Sequence, residues 1–180
     1  MSKPVQIRFG GFGGQGIVLA GLLLGRAAST EGRFVAGSNS YGVAARGAAC
    51  RSEVVISEDP IDFPQVRIPD VLAVMSQRAY DLFSREVAKD GLIFYDSQFI
   101  VPHRRKGMVD VPATAMALQD IGEKRVANVI MVSAVVANTG IVSQGALLRA
   151  IEESVKGNFL DLNRKAAELG FQVKGSSNEG

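Results

Sequence analysis

The feature that most limits how this chain can fold lies near its start, in "VQIRFGGFGGQGIVLAGLLLGRAAS", Val5 to Ser29. Five glycines fill the junction between an apolar strand-like run and an apolar helix-like run. Val5–Phe9 reads as a short buried strand, and Ile17–Ser29 as a helix that is apolar nearly all round. Such a helix lies inside the fold or against a partner. Gly21 and Gly25, one turn apart, leave a flat stripe where another backbone can approach. Each costs roughly 1 kcal/mol in a helix interior, which close packing must offset. Gly11, Gly13 and Gly16 satisfy G-x-G-x-x-G directly after a strand and at the opening of a helix, the context of a dinucleotide fingerprint. Glycines admit a phosphate close to the backbone, and a helix N-terminus presents unpaired N–H groups to it. The second strand speaks against NAD or NADP. Phe34-Val35-Ala36 runs into Gly37-Ser38-Asn39-Ser40, with no acidic residue for an adenosine ribose and no arginine for a 2′-phosphate. Another anion, or tight packing alone, remains open.

The remainder alternates strands and helices. "SEVVIS" alternates as a strand should, "EDPIDFPQVRIPD" is a proline-punctuated loop, and "DVLAVMS" is a continuous apolar strand of the kind found inside a parallel sheet. "QRAYDLFSREVAKDG" predicts an amphipathic helix ending at Gly91, and "LIFYDS" another buried strand. "VPHRRKGMVDVP" suggests an edge hairpin with Gly107 in its turn, and "TAMALQDIG" a further helix. A long apolar helix over Ala127–Val142 follows. Then come "SQGALLRAIEESV", capped by Ser143, and "NFLDLNRKAAELGFQ". The expectation is an α/β fold, a Rossmann-like mostly parallel sheet with helices on both faces and a helical C-terminal third. It forms a single domain over residues 1–173, with a disordered tail over 174–180.

Composition removes several function classes. With 180 residues, one compact core is expected. A formal charge of +2, no tryptophan and few aromatics argue against nucleic-acid binding. The longest apolar stretch is interrupted by Asn128, Ser133, Asn138 and Thr139, which suits a buried helix better than a membrane span. Cys50 is the only cysteine and His103 the only histidine. An internal disulfide, a multi-cysteine cluster and a Ser-His-Asp triad are therefore poorly supported, and no metal site or catalytic residue is assigned. A soluble, reduced, cytoplasmic protein is expected.

"GGFGGQG" and "SNSYGVAARGAACRSEVVIS" together resemble the gamma subunit, or gamma domain, of 2-oxoacid:ferredoxin oxidoreductases. In that family a G-x-G-G-Q-G turn opens the chain, and S-Y-G-P-E-x-R-G-G-x-x-x-S-x-V-x-I-S follows the second strand. This chain matches at Ser40-Tyr41-Gly42, Arg46-Gly47, Ser52 and Val54-Val55-Ile56-Ser57. It departs at Val43, Ala44 and Ala48. The similarity continues in the same order through "DVLAVMSQRAYD", "GLIFYDS", "VPAT", "KRVANVIMVSAVVANTGIVS" and "LNRKAAELGF".

The resemblance implies a non-catalytic subunit of an assembly that converts a 2-oxoacid and coenzyme A to acyl-CoA and CO2, passing two electrons to ferredoxin. It further implies that thiamine diphosphate and the iron–sulfur clusters belong to partner chains: thiamine-binding alpha and beta subunits and an iron–sulfur subunit. This chain would pack against them and help enclose coenzyme A. The residues assigned to that contact are Gly11, Gly13, Gly14, Gln15, Gly16, Ser40, Tyr41, Gly42, Arg46 and Gly47. Among oxoacids 2-oxoglutarate is favoured, then pyruvate. A stand-alone NAD(P) dehydrogenase and a small coenzyme A or nucleotide-binding module are the alternatives. Arg46 and Arg51 suit a phosphate or a partner carboxylate. The basic turn His103-Arg104-Arg105-Lys106 reads first as a solvated tip, Cys50 as structural, and Asp96 as the carboxylate at a strand end where α/β sheets bind ligands.

Overall fold

The computed structural model describes residues 3–41, 49–103 and 106–175, with Tyr41 described by its backbone alone. The sheet has six strands: β1 (Val5–Phe12), β2 (Phe34–Tyr41), β3 (Ala49–Ser57), β4 (Val71–Val74), β5 (Leu92–Tyr95) and β6 (Met108–Asp110). Their order is β2-β3-β1-β4-β5-β6. β1, β4, β5 and β6 are parallel neighbours, whereas β3 runs antiparallel to both β1 and β2. The α/β architecture expected from the sequence is present, as a mixed sheet whose parallel half carries the glycine turn.

The helices are α1 (Ile17–Thr30), α2 (Gln77–Phe83), α3 (Ala113–Met116), α4 (Ala127–Thr139), α5 (Gln144–Ser154) and α6 (Phe159–Gln172). Because strand side chains alternate between faces, Ile7 and Phe9 of β1 join Leu23 and Leu24 of α1 and nearly all of α4 in the larger core. Full burial of each such leucine is worth about 1.5–3 kcal/mol. The other face is thinner: Leu72, Val74 and Ile93 lie under Tyr80 and Phe83 of α2. α4 is buried around its whole circumference from Ala127 to Val136, and Gly140, at φ +62°, ends it before the expected Val142. Gly170 brings α6 onto α4 so closely that a Cβ there would stand 2.4 Å from the Ile130 carbonyl oxygen. Ser143 caps α5 as expected, its hydroxyl accepting from the Ala146 amide at 3.1 Å.

Four local expectations change. β2 does not stop at Ala36 but continues through "GSNSY", because β3 offers a ladder partner at every position from Phe34 to Tyr41. β3 is buried on both faces from Ser52 to Ser57, as an interior strand must be, so its polar positions do not face water. α2 stops at Phe83 and gives way to a 3₁₀ turn, after which Val87 turns extended and is buried in the smaller core. The expected hairpin over "VPHRRKGMVDVP" is instead one short strand, β6, parallel to β5. The Val101 amide donates to Gln77 Oε1 at 2.8 Å and the His103 amide to the Tyr80 hydroxyl at 3.0 Å, so neither serves a second strand. The tail is fixed at its start by Asn138, which accepts from the Gly175 amide at 2.7 Å and donates to the Val173 carbonyl at 2.8 Å. Residues 176–180 lie outside the described residues.

An ion network crosses the thinner face. Arg8, 3% exposed, donates to Glu53 at 2.7 Å and to Glu86, and its guanidinium lies 5.2 Å from the centre of the Phe83 ring. Ser38 donates to the other Glu53 oxygen at 3.2 Å. Both acidic partners are separated from Arg8 by tens of residues, so the network ties β1, β2 and β3 to the turn after α2.

Candidate functional site

The connections leaving β1 and β4 diverge. α1 carries the chain toward β2 over one face, and α2 carries it toward β5 over the other. In α/β sheets such a switch point opens a crevice at the carboxyl ends of the strands, where ligands bind. Here the crevice has a volume of about 220 Å³. Gly14 and Gln15 line it from the turn after β1, Met75 from the end of β4, Phe99 from beyond β5, and Thr114 from α3. Lys124, Arg125 and Ala127, at and before the start of α4, complete it.

The glycines of the turn have separate reasons. A Cβ on Gly11 would stand 2.6 Å from Gln15 Oε1, and one on Gly16 would stand 2.4 Å from Asn128 Nδ2, so both are required by packing. Gly14 and Gly16 also adopt φ of +92° and +73°. Gly13 differs. It is exposed, its φ is not positive, and a Cβ there would meet nothing within 4 Å among the described residues. Among the described residues, no contact requires a glycine at that position.

Gln15 braces the turn. Its Oε1 accepts from the Phe12 amide at 2.6 Å and its Nε2 donates to the Met75 carbonyl at 2.8 Å, tying the end of β1 to the end of β4. Asn128 supports the turn from below, donating to the Gly16 carbonyl at 3.0 Å. No side chain among the described residues caps α1 at Gly16, and the first N–H groups of a helix are the end that favours an anion.

Lys124 and Arg125 were not singled out by the sequence reading. They precede an apolar helix at the end where the helix dipole disfavours cations, and that misplacement is the signal that could have marked them. Arg125 donates to Glu123 at 2.6 Å and lies 4.4 Å from the Phe159 ring centre, and its guanidinium holds the Glu123 carboxyl down at about 2. Lys124 has no carboxylate within ion-pair distance among the described residues. Asp96, wholly buried, accepts from the Thr114 hydroxyl at 2.6 Å, the Thr114 amide at 3.1 Å and the Gln98 amide at 3.2 Å. Burial pushes its carboxyl up despite those three donors. Held by those three donors, it fixes the crevice wall.

Ser40 and Tyr41 end β2, and Ser40 is exposed. Gly42, Arg46 and Gly47 lie outside the described residues, as do Arg104 and Arg105 of the basic turn. β3 intervenes between β1 and β2, so the end of β2 lies two strand spacings from β1, about 10 Å, rather than one. In the dinucleotide fold the second strand is the immediate neighbour, and its end meets the ribose. The insertion adds a geometric reason to the missing acidic residue. Cys50, opposite Gly11 in the ladder, is buried, and burial raises its thiol, which makes it a poor nucleophile.

Residues 6–173 match the family model for pyruvate ferredoxin/flavodoxin oxidoreductase. The chain belongs to this family. It is 40% identical over 173 residues to the 2-oxoglutarate synthase subunit KorC of Methanocaldococcus jannaschii, covering 93% of this chain and 92% of that one. The keto/oxoacid ferredoxin oxidoreductase gamma subunit of Geobacter sulfurreducens superposes with a TM-score of 0.86 at 36% identity, over 96% of this chain and 97% of that one. The 2-oxoglutarate:ferredoxin oxidoreductase of Magnetococcus marinus, solved with 2-oxoglutarate, coenzyme A and succinyl-CoA bound, shares the fold with a TM-score of 0.82. Its identity is 18%, over 94% of this chain and 31% of that one. The chain is thus a gamma-type subunit of a multi-subunit 2-oxoacid:ferredoxin oxidoreductase. No helix among the described residues is long and apolar enough to cross a membrane.

Proposed function

We propose that this gamma subunit serves a cytoplasmic complex that oxidatively decarboxylates 2-oxoglutarate, with pyruvate second in preference, and that its own part is to pack against the thiamine-binding subunits and close over coenzyme A. The observation that carries the ligand role is Gly13, a glycine that neither its φ nor any contact among the described residues requires, next in the chain to Gly14 and Gln15 of a switch-point crevice with a cationic rim. A bare backbone before the start of α1, with Lys124 on the wall of the adjoining crevice, suits a phosphate, and coenzyme A carries phosphates. Gln15, with both polar atoms engaged, holds the turn in shape for that contact. The segment Ser40–Gly47, leaving the end of β2, supplies the remaining contact residues, with Arg46 as the phosphate partner.

The redox chemistry belongs elsewhere in the assembly. One cysteine and one histidine cannot ligate an iron–sulfur cluster. The turn also lacks the G-D-G and paired asparagines of a thiamine site, so thiamine diphosphate and the clusters are assigned to the alpha, beta and iron–sulfur subunits. The test is native purification of the tagged chain from its own anaerobic lysate, followed by dye reduction with each oxoacid and coenzyme A. Co-purification of thiamine-binding and iron–sulfur chains with activity on 2-oxoglutarate supports the proposal. Activity on pyruvate alone replaces the substrate. A solitary chain carrying nucleotide overturns it.

A further inference from the structure

Most of the far edge of the sheet, Phe34 to Asn39 of β2, lies outside the residues assigned to the ligand role. β2 is bonded to β3 on one side, and no strand among the described residues pairs with its other side, which presents a row of backbone donors and acceptors. Folded proteins usually blunt such an edge with a charge, a proline, a bulge or short length. β2 has none of these. Its eight residues, "FVAGSNSY", include no charge and no proline, and it pairs with β3 at eight consecutive positions without a bulge. The opposite edge, β6, is three residues long, and Gly175 packs beside its Val109.

On the α1 side of β2 lies a groove of about 420 Å³. Gly21, Gly25 and Gly37 leave it open, and Val18, Leu22 and Val35 make it apolar. Leu22 is 46% exposed, and so is Phe34 on the opposite face of the strand. The charged residues at the groove are already engaged, Arg26 with the Ser154 hydroxyl at 2.9 Å and Glu53 with Arg8.

We propose that β2 is a homotypic seam, at which a second copy of this chain pairs its own β2 antiparallel across a two-fold axis and continues the sheet. The occupant follows from self-complementarity. Antiparallel pairing matches this free edge to an identical one. Leu22 and the glycine-opened groove lie on one surface, so the two-fold axis seats each Leu22 against the partner's groove. A seam without net charge meets its copy without the like-charge penalty that opposed strands otherwise incur.

The experiment uses the intact complex carrying Asn39→Cys in this subunit, treated with a short bismaleimide. Asn39 is exposed on β2, and the parent chain, whose Cys50 is buried, is the control. The expected result is a cross-linked band at twice the 19.1 kDa chain mass, lost when Leu22→Glu is added. In parallel, the isolated chain sediments as a dimer, and Asn39→Lys or Leu22→Glu weakens that dimer at least tenfold with the far-UV circular dichroism unchanged. Cross-linking of Asn39→Cys to a different subunit overturns the proposal and assigns the edge to that subunit. Absence of any cross-link, or a dimer indifferent to both substitutions, overturns it as well.

Discussion

Replacing Gly13 by alanine separates a ligand turn from a structural one. A Cβ at Gly13 meets nothing within 4 Å among the described residues and the φ is not positive, so folding stability should change by no more than about 0.5 kcal/mol. If a coenzyme A phosphate rests against that backbone, the methyl displaces it from hydrogen-bond reach. Losing one hydrogen bond to a charged group costs about 1.5–3 kcal/mol, which corresponds to roughly a 10- to 150-fold rise in KM for coenzyme A. KM for the oxoacid should stay put. Gly16→Ala is the control of opposite sign. There φ is +73° and the new Cβ falls 2.4 Å from Asn128 Nδ2. Backbone strain of about 1–3 kcal/mol plus a lost bond worth about 1 kcal/mol should lower the melting midpoint by roughly 5–15 °C. The assay is steady-state dye reduction by the reconstituted complex, with calorimetry on each variant subunit. An unchanged KM for coenzyme A in Gly13→Ala would refute the reasoning, and so would a large loss of stability there.

Other consequences are local. Burial raises the Asp96 carboxyl, so its neutral form is the one the fold prefers. That preference contributes stability fully below the ordinary aspartate value near 4, and it is lost as pH rises through the raised value. Asp96→Asn should therefore destabilise most in acid and progressively less toward neutrality. A penalty that instead grows with pH, by thermal melts from pH 3 to 8, would contradict this. Arg8→Met leaves Glu53, 8% exposed, as a buried charge without its main partner, and should cost about 3–5 kcal/mol in chemical denaturation. A loss below 1 kcal/mol would mean that Arg51, 3.9 Å from Glu53, takes over.

The sequence made the turn legible because glycine density, a preceding apolar strand and a following apolar helix are local signals. It likewise indicated that α1 and α4 are buried, since neither has a polar face wide enough to meet water. The strand order was not legible. "GSNSY" carries no period-2 pattern, because from Gly37 to Ser40 the residues on both faces of β2 are exposed. The insertion of β3 between β1 and β2 follows from a long-range pairing that no local propensity encodes. The crevice was half visible. Its glycine wall was evident, but its cationic wall comes from residues more than a hundred positions away and meets the turn only in the fold. Arg8, in a strand read as apolar, gave no hint that Glu53 and Glu86 would surround it.

The Asn128–Gly16 contact spans 112 residues of chain. During synthesis, which delivers the N-terminus first, the glycine turn therefore emerges long before the side chain that supports it. β1 must also wait for β3 and β4 to flank it, since the central strand is made first and enclosed last. A nascent chain halted before α4 has the glycine turn in its sequence but lacks the Asn128 support for its shape. The site matures only when the C-terminal helices dock, so the capacity to receive a ligand appears together with the completed core and not ahead of it.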